Sequence, residues 1–244
     1  MQIDLNCDMG ESFGAYRLGN DAAILPYIRS ANVACGWHAG DPLVMDATVG
    51  LCAAAGVRVG AHPSYPDLQG FGRREMSLSP EEAEAFVLYQ VGALAAFTRA
   101  AGVELTHVKP HGALYNQASN DRVLAGAVAR GVARFSRELV LVGLAGSALL
   151  AAAAEAGLKG AGEGFPDRAY EPDGSLRSRR VAGAVLHDPV QIAANAVHLS
   201  RQGIITSQGR VEVETLCLHG DNPAALAAAQ AVRKALEEAG ISLG

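Results

Sequence analysis

The stretch IDLNCD, residues 3–8, alternates apolar and polar side chains without a break. Along an extended chain, successive side chains point to opposite faces. Ile3, Leu5 and Cys7 therefore share one face, and Asp4, Asn6 and Asp8 share the other. An apolar face suits a covering layer of helices. The acidic face then points inward, where an unpaired Asp4 would cost several kcal/mol, about what transfer data give for polar groups. This reading demands donors, a lysine, a metal or a polar ligand inside the protein.

Further apolar segments continue the pattern near 31–35, 57–61, 104–109, 139–143, 159–163 and 213–218, with shorter extended pieces at 181–186 and 203–206. Helix starts lie between them. Asp41-Pro42, Ser79-Pro80, Asp188-Pro189 and Asn222-Pro223 each set a capping residue before proline at the first helical position. Ser79 with Glu82, and Asp188 with Gln191, have capping-box spacing. Gly56, Gly102, Gly157, Gly203 and Gly240 stand where left-handed helix ends are expected. Further helices are expected near 20–30, 121–135 and 146–156. Strand and helix alternate about seven times, which implies parallel strands with crossover helices. A closed barrel of seven or eight units fits, and so does an open doubly wound sheet.

The chain has 244 residues, half of them hydrophobic, and we expect residues 1–244 to form one domain. Lys plus Arg is 20 against 25 Asp plus Glu, so no basic footprint for nucleic acid is present. The Ala-rich run at 139–154 is too interrupted for a membrane span. The N-terminus lacks the basic and apolar regions of a signal peptide. Cys7, Cys35, Cys52 and Cys217 are scattered, as expected of reduced thiols in a cytoplasmic protein.

The chemistry-bearing residues gather at strand ends. In HVKPHGALYN, residues 107–116, His107, Lys109 and His111 share a face if the chain stays extended, which Pro110 favours. His38, His62 and His219 also follow strands, whereas His187 and His198 are expected to be structural or superficial. The sixth strand runs into Glu163, Asp167, Arg168 and Tyr170. Five histidines converging from separate strands suggest a site, either for a divalent metal or for proton transfer. Lys109 suits an anion or a carbonyl, or alternatively a salt bridge to Asp4 or Asp8. Arg168, Arg179 and Arg180 are further anion candidates. The loops 63–78 and 164–180 should lie on the ligand-binding face. GAGEGF (160–165) is weak evidence for a nucleotide loop, and neither G-x-x-x-x-G-K-[ST] nor G-x-S-x-G occurs.

The motifs DLNCDMGESFG (4–14), NVACGWHAGD (32–41), GAHPSYPD (60–67), HVKPHGALYN, GEGFPDRAY (162–170) and LCLHGDN (216–222) resemble the LamB/YcsF family essentially end to end. The resemblance implies an α/β fold, a seven-stranded (β/α) barrel akin to glycoside hydrolases and polysaccharide deacetylases. It also implies the A subunit of a bacterial 5-oxoprolinase, which opens 5-oxo-L-proline to L-glutamate with ATP as co-substrate and with partner subunits B and C. Strand-end reasoning assigns the roles within that activity. Asp8, Lys109, His107 and His111 are the catalytic candidates. Asn6, Glu163, Arg168 and His219 are candidates for substrate contact. Asp4, His38 and His62 are candidates for a divalent metal such as Mg. Two rivals stand beside this reading: an autonomous metal-dependent amide or N-acetyl-sugar deacetylase, and a non-catalytic lactam-binding subunit.

Overall fold

The computed structural model describes residues 1–218 and 225–244. Strands β1 (Gln2–Met9), β2 (Ser30–Ala34), β3 (Arg58–His62), β4 (Leu105–Val108), β5 (Val140–Leu144) and β6 (Lys159–Gly164) follow one another around a parallel sheet. A short antiparallel hairpin, β7 (Ile204–Thr206) and β8 (Gly209–Val211), precedes β9 (Thr215–Leu218). β9 pairs with both β6 and β1, which closes a seven-stranded barrel. β10 (Ser242–Leu243) adds to the start of β1. The sequence left the barrel and the open sheet as alternatives, and the β1–β9 pairing decides between them. GAGEGF runs along β6 into Phe165, so its glycines belong to the barrel wall.

The covering helices are α1 (Asp21–Ile24), α2 (Pro42–Ala55), α3 (Pro80–Ala100), α4 (Gly112–Asn120), α5 (Arg122–Phe135), α6 (Ala148–Glu155), α7 (Pro189–Gln202) and α8 (Ala225–Glu238). Their starts follow the capping signals. Asp41 accepts from the backbone N–H of Leu43 and Val44, and Asp188 from Val190. Ser79 and Glu82 form a reciprocal capping box. The Asn222-Pro223 signal lies outside the described residues. α4 was not expected. It starts at His111 without a side-chain cap and at a glycine with φ +57°, so no local signal announces it. Among the described residues, no helix is long and apolar enough to cross a membrane.

The β1 alternation sorts the core as anticipated. Ile3, Leu5 and Cys7 are buried in the apolar layer under the helices. Asn6 and Asp8 face the barrel interior, where Asn6 sits beside Cys217 and Asp8 beside Asn32 in register. Gly60 separates Asn32 on β2 from His107 on β4. Any Cβ at Gly60 would overlap the His107 ring. Its missing side chain lets His107 reach across to Asn32.

Candidate active site

Two cavities open at opposite ends of the barrel. The one at the strand C-termini holds about 540 Å³ and is lined by Asp8, His62, Lys109, His111 and Tyr115, with Arg73, Arg168, Arg177, Arg179 and Arg180 around it. The loops 63–78 and 164–180 supply those arginines, as the strand order anticipated. The other cavity, about 370 Å³, lies at the strand N-termini and is lined by Asp4, Asn6, Asn32, Arg58 and His107.

At the floor of the first cavity sits a buried ion cluster. Lys109 Nζ lies 2.9 Å from Asp8 Oδ1 and 2.9 Å from Glu163 Oε1. It also donates toward Asn6 Oδ1 at 3.3 Å and contacts Cys217 Sγ at 2.9 Å. Burial alone would lower the Lys109 pKa, but Asp8, Cys217 and Glu163 outweigh it and hold the ammonium well above its usual range. Glu163 is fully buried and accepts from Asn6 Nδ2 at 3.0 Å and from the Tyr115 hydroxyl at 2.8 Å. Burial, then Glu163, pushes the Tyr115 phenol up. Burial, then Asp8, does the same to the Cys217 thiol. Asp8 Oδ1 also accepts from Asn32 Nδ2 at 2.9 Å, while its Oδ2 lies 3.3 Å from His62 Nε2.

Beside Asp8 stand three imidazoles and a second carboxylate. His62 Nε2 lies 3.0 Å from His111 Nδ1. Glu11 Oε1 lies 3.5 Å from His111 Nδ1 and 3.3 Å from His38 Nε2. The His38 and His111 rings stack with centroids 3.8 Å apart. Glu11, His38, His62 and His111 each offer one donor atom within 4.8 Å of the others, so this group can hold a metal ion. Burial, reinforced by the neighbouring imidazoles, lowers the pKa of both His38 and His111. Phe71 packs edge-on against His38 and His111 and is the one non-glycine with positive φ, +54°, among the described residues.

The structure corrects part of the sequence reading. Asp4 does not join His38 and His62. Four residues along a strand span about 13 Å, so sharing a face with Asp8 still leaves Asp4 at the other end. There it pairs with Arg58 at 2.7 Å and accepts from Ser30 and Thr215. His107 and Asn6 likewise face the lower cavity, away from the mouth. His107 Nε2 lies 2.8 Å from Asn32 Oδ1, so it orients the amide that holds Asp8. Glu163 lies beneath the mouth cavity and supports Lys109. Arg168 does reach the mouth, but it donates to the Ala184 and Arg177 carbonyls and so braces the loop above. Burial, then Arg179, lowers its pKa to about 10. His219 lies outside the described residues. His187 and His198 are exposed, as expected. Glu11, Tyr115 and Cys217 were missed as site residues.

Against this geometry, the sequence pattern of the LamB/YcsF family matches residues 3–244. The chain belongs to the LamB/YcsF family. It is 56% identical to the A subunit of 5-oxoprolinase from Chloroflexus aggregans, over 100% of this chain and 98% of that protein. A lactam utilization protein from Thermus thermophilus superposes with a TM-score of 0.92 at 48% identity, covering 100% of this chain and 99% of the other. The polysaccharide deacetylase Bc1974 from Bacillus cereus, at TM-score 0.50 and 14% identity over 99% and 89% of the two chains, shares the fold alone.

Burial of His107 also gives this LamB/YcsF protein a pH-dependent stability. It lowers the His107 pKa to about 4 from an ordinary value of 6.5. The unfolded chain therefore binds more protons than the native one between those values. His107 contributes fully above pH 6.5, and its contribution is lost as pH falls toward 4. Over that window, His107→Gln is expected to flatten the fall in unfolding free energy by up to about 1.4 kcal/mol per pH unit. Urea midpoints of both proteins across the range test this, and parallel curves would refute it.

Proposed function

We propose that this chain is the A subunit of an ATP-dependent 5-oxoprolinase, opening 5-oxo-L-proline to L-glutamate while ATP becomes ADP and phosphate. The observation that carries the reading is the end-to-end match, at 56% identity, to a protein of that name. The mouth cavity is compatible with it, because guanidinium groups above a carboxylate–imidazole floor suit a small anionic lactam. In this reading Arg168 and its neighbours face the substrate carboxylate. Asp8 takes the proton of the attacking water. Lys109, engaged by both Asp8 and Glu163, is a positioning residue that fixes Asp8 Oδ1 and leaves Oδ2 toward the cavity. His107 positions Asp8 through Asn32. A divalent cation on Glu11, His38, His62 and His111 would supply Lewis acidity toward a carbonyl oxygen or water.

An amide carbonyl resists water, and phosphorylation of its oxygen by ATP would make it a better electrophile. We assign ATP binding to partner subunits B and C, in a cytoplasmic complex. The test is reconstitution with both partners, measuring glutamate and ADP together. Release of both only in the complete mixture is expected. An intact complex that leaves 5-oxoproline untouched would defeat the assignment. The imidazole cluster favours one rival, an autonomous metal-dependent deacetylase. Turnover of an acetylated sugar by the purified chain after metal addition would establish that rival.

A further inference from the structure

The ring nitrogens of His62 and His111 carry more information than their proximity. His62 Nδ1 lies 2.7 Å from the Lys109 carbonyl oxygen, and His111 Nε2 lies 2.9 Å from the Phe71 carbonyl oxygen. A carbonyl only accepts, so each of these nitrogens must bear the hydrogen. In neutral rings, His62 Nε2 and His111 Nδ1 are then both lone pairs, and they face each other at 3.0 Å. Two lone pairs at that distance repel unless a cation lies between them. A proton there would make one imidazolium, held beside Asp8 Oδ2 and Glu11 Oε1 at 3.3 and 3.5 Å, whereas a divalent ion would engage both lone pairs at once. His38 Nδ1 is also buried with no hydrogen-bond partner among the described residues.

We infer that His62 and His111, with Glu11 and His38, bind a nitrogen-preferring divalent ion of the zinc class, and that the Lys109 and Phe71 carbonyls lock the two imidazoles in the tautomers this requires. The inference rests on the proposed function only for the use of the ion, and it refines the ion named there. Ring N–H groups held by carbonyls are the usual outer partners of metal-binding histidines. Three of the separations among these donors are 3.0–3.5 Å, within reach of a common ion with metal–nitrogen bonds of about 2.0–2.1 Å, and because His38 stacks parallel on His111 one of those two rings must turn to join it. Magnesium prefers oxygen ligands and retained water, so three imidazoles argue against the magnesium expected from sequence. Phe71 adds a second sign. A bulky residue at positive φ costs about 1–3 kcal/mol and persists where its surroundings demand it. Here the strained residue presents the carbonyl that holds His111.

The test uses the isolated full chain, stripped with a chelator and titrated calorimetrically with zinc and with magnesium, alongside visible spectra after cobalt addition. We expect one equivalent of zinc to bind, millimolar magnesium not to compete, and cobalt to show the ligand-field bands of a low-symmetry nitrogen-rich site. His62→Ala and His111→Ala should each weaken zinc binding by more than about a hundredfold, the upper range for losing even an outer partner. His198→Ala, an exposed control, should leave it unchanged. If the site variants fail to fold, the zinc–magnesium comparison and cobalt spectrum of the unaltered chain still decide. Absence of saturable zinc binding, equal affinity for magnesium, or nitrogen-15 shifts showing an imidazolium that persists with zinc would each overturn the inference. Zinc binding without glutamate release from the complete complex would instead defeat the proposed function and leave the ion site standing.

Discussion

Asp8→Asn is expected to lower kcat of the reconstituted three-subunit enzyme by about 10²–10⁴-fold, the range for losing a positioned proton acceptor, with little change in KM for 5-oxoproline. The substitution isolates basicity from shape. An asparagine oxygen can still accept from Lys109 and Asn32, as Asp8 Oδ1 does at 2.9 Å from each. The amide NH2 then takes the place of Oδ2 beside His62, matching its shape without its basicity. The floor of the cavity keeps its contacts and loses the group that accepts a proton from water. Complex formation, checked by gel filtration, should be unaffected. An unchanged kcat would remove Asp8 from the chemistry and favour the lactam-binding, non-catalytic reading of this chain.

The fold was legible because its devices are local. The alternation in residues 3–8 sets which face of β1 turns inward, and Asp41, Ser79 and Asp188 mark three helix starts. Seven strand segments were placed correctly, whereas α4, with no side-chain cap, was not seen. Residue parity predicts direction well and depth poorly. Asp4, Asn6 and Asp8 do share a face, yet Asp4 and Asn6 open on one cavity and Asp8 on the other. The same error placed His107 with Lys109 and His111. Glu11 escaped notice because the alternation ends at Met9, and Gly10, at φ +68°, turns the chain before it. Its position just past the end of β1 was the available signal. The sequence marks Cys217 only as one of four scattered reduced thiols, but register with Asn6 turns it inward beside Lys109. Tyr115 depends on α4 and could not be placed without it.

Lys109→Met should cost about 3–5 kcal/mol of unfolding free energy, the range for removing one partner of a buried ion pair. For a chain of this length that is a fall in Tm of roughly 10 °C. Methionine fills the volume, so the loss is electrostatic. Without the ammonium, the carboxylates of Asp8 and Glu163 lose the cation that both touch. Asp8 borders the cavity and can gain water, whereas Glu163 is fully buried. Most of the cost therefore belongs to Glu163, even though Asn6 and Tyr115 still donate to it. That division makes a second measurement decisive. Glu163→Gln in the Lys109→Met background removes the stranded charge and should recover a large part of the loss. In the unaltered background, Glu163→Gln should instead destabilise. Equilibrium urea unfolding of the four proteins gives the coupling directly. Additive effects, or a Lys109→Met cost below about 1 kcal/mol, would mean that water or a rearranged neighbour already satisfies both carboxylates, and the buried cluster would lose its place as the support on which Asp8 is held.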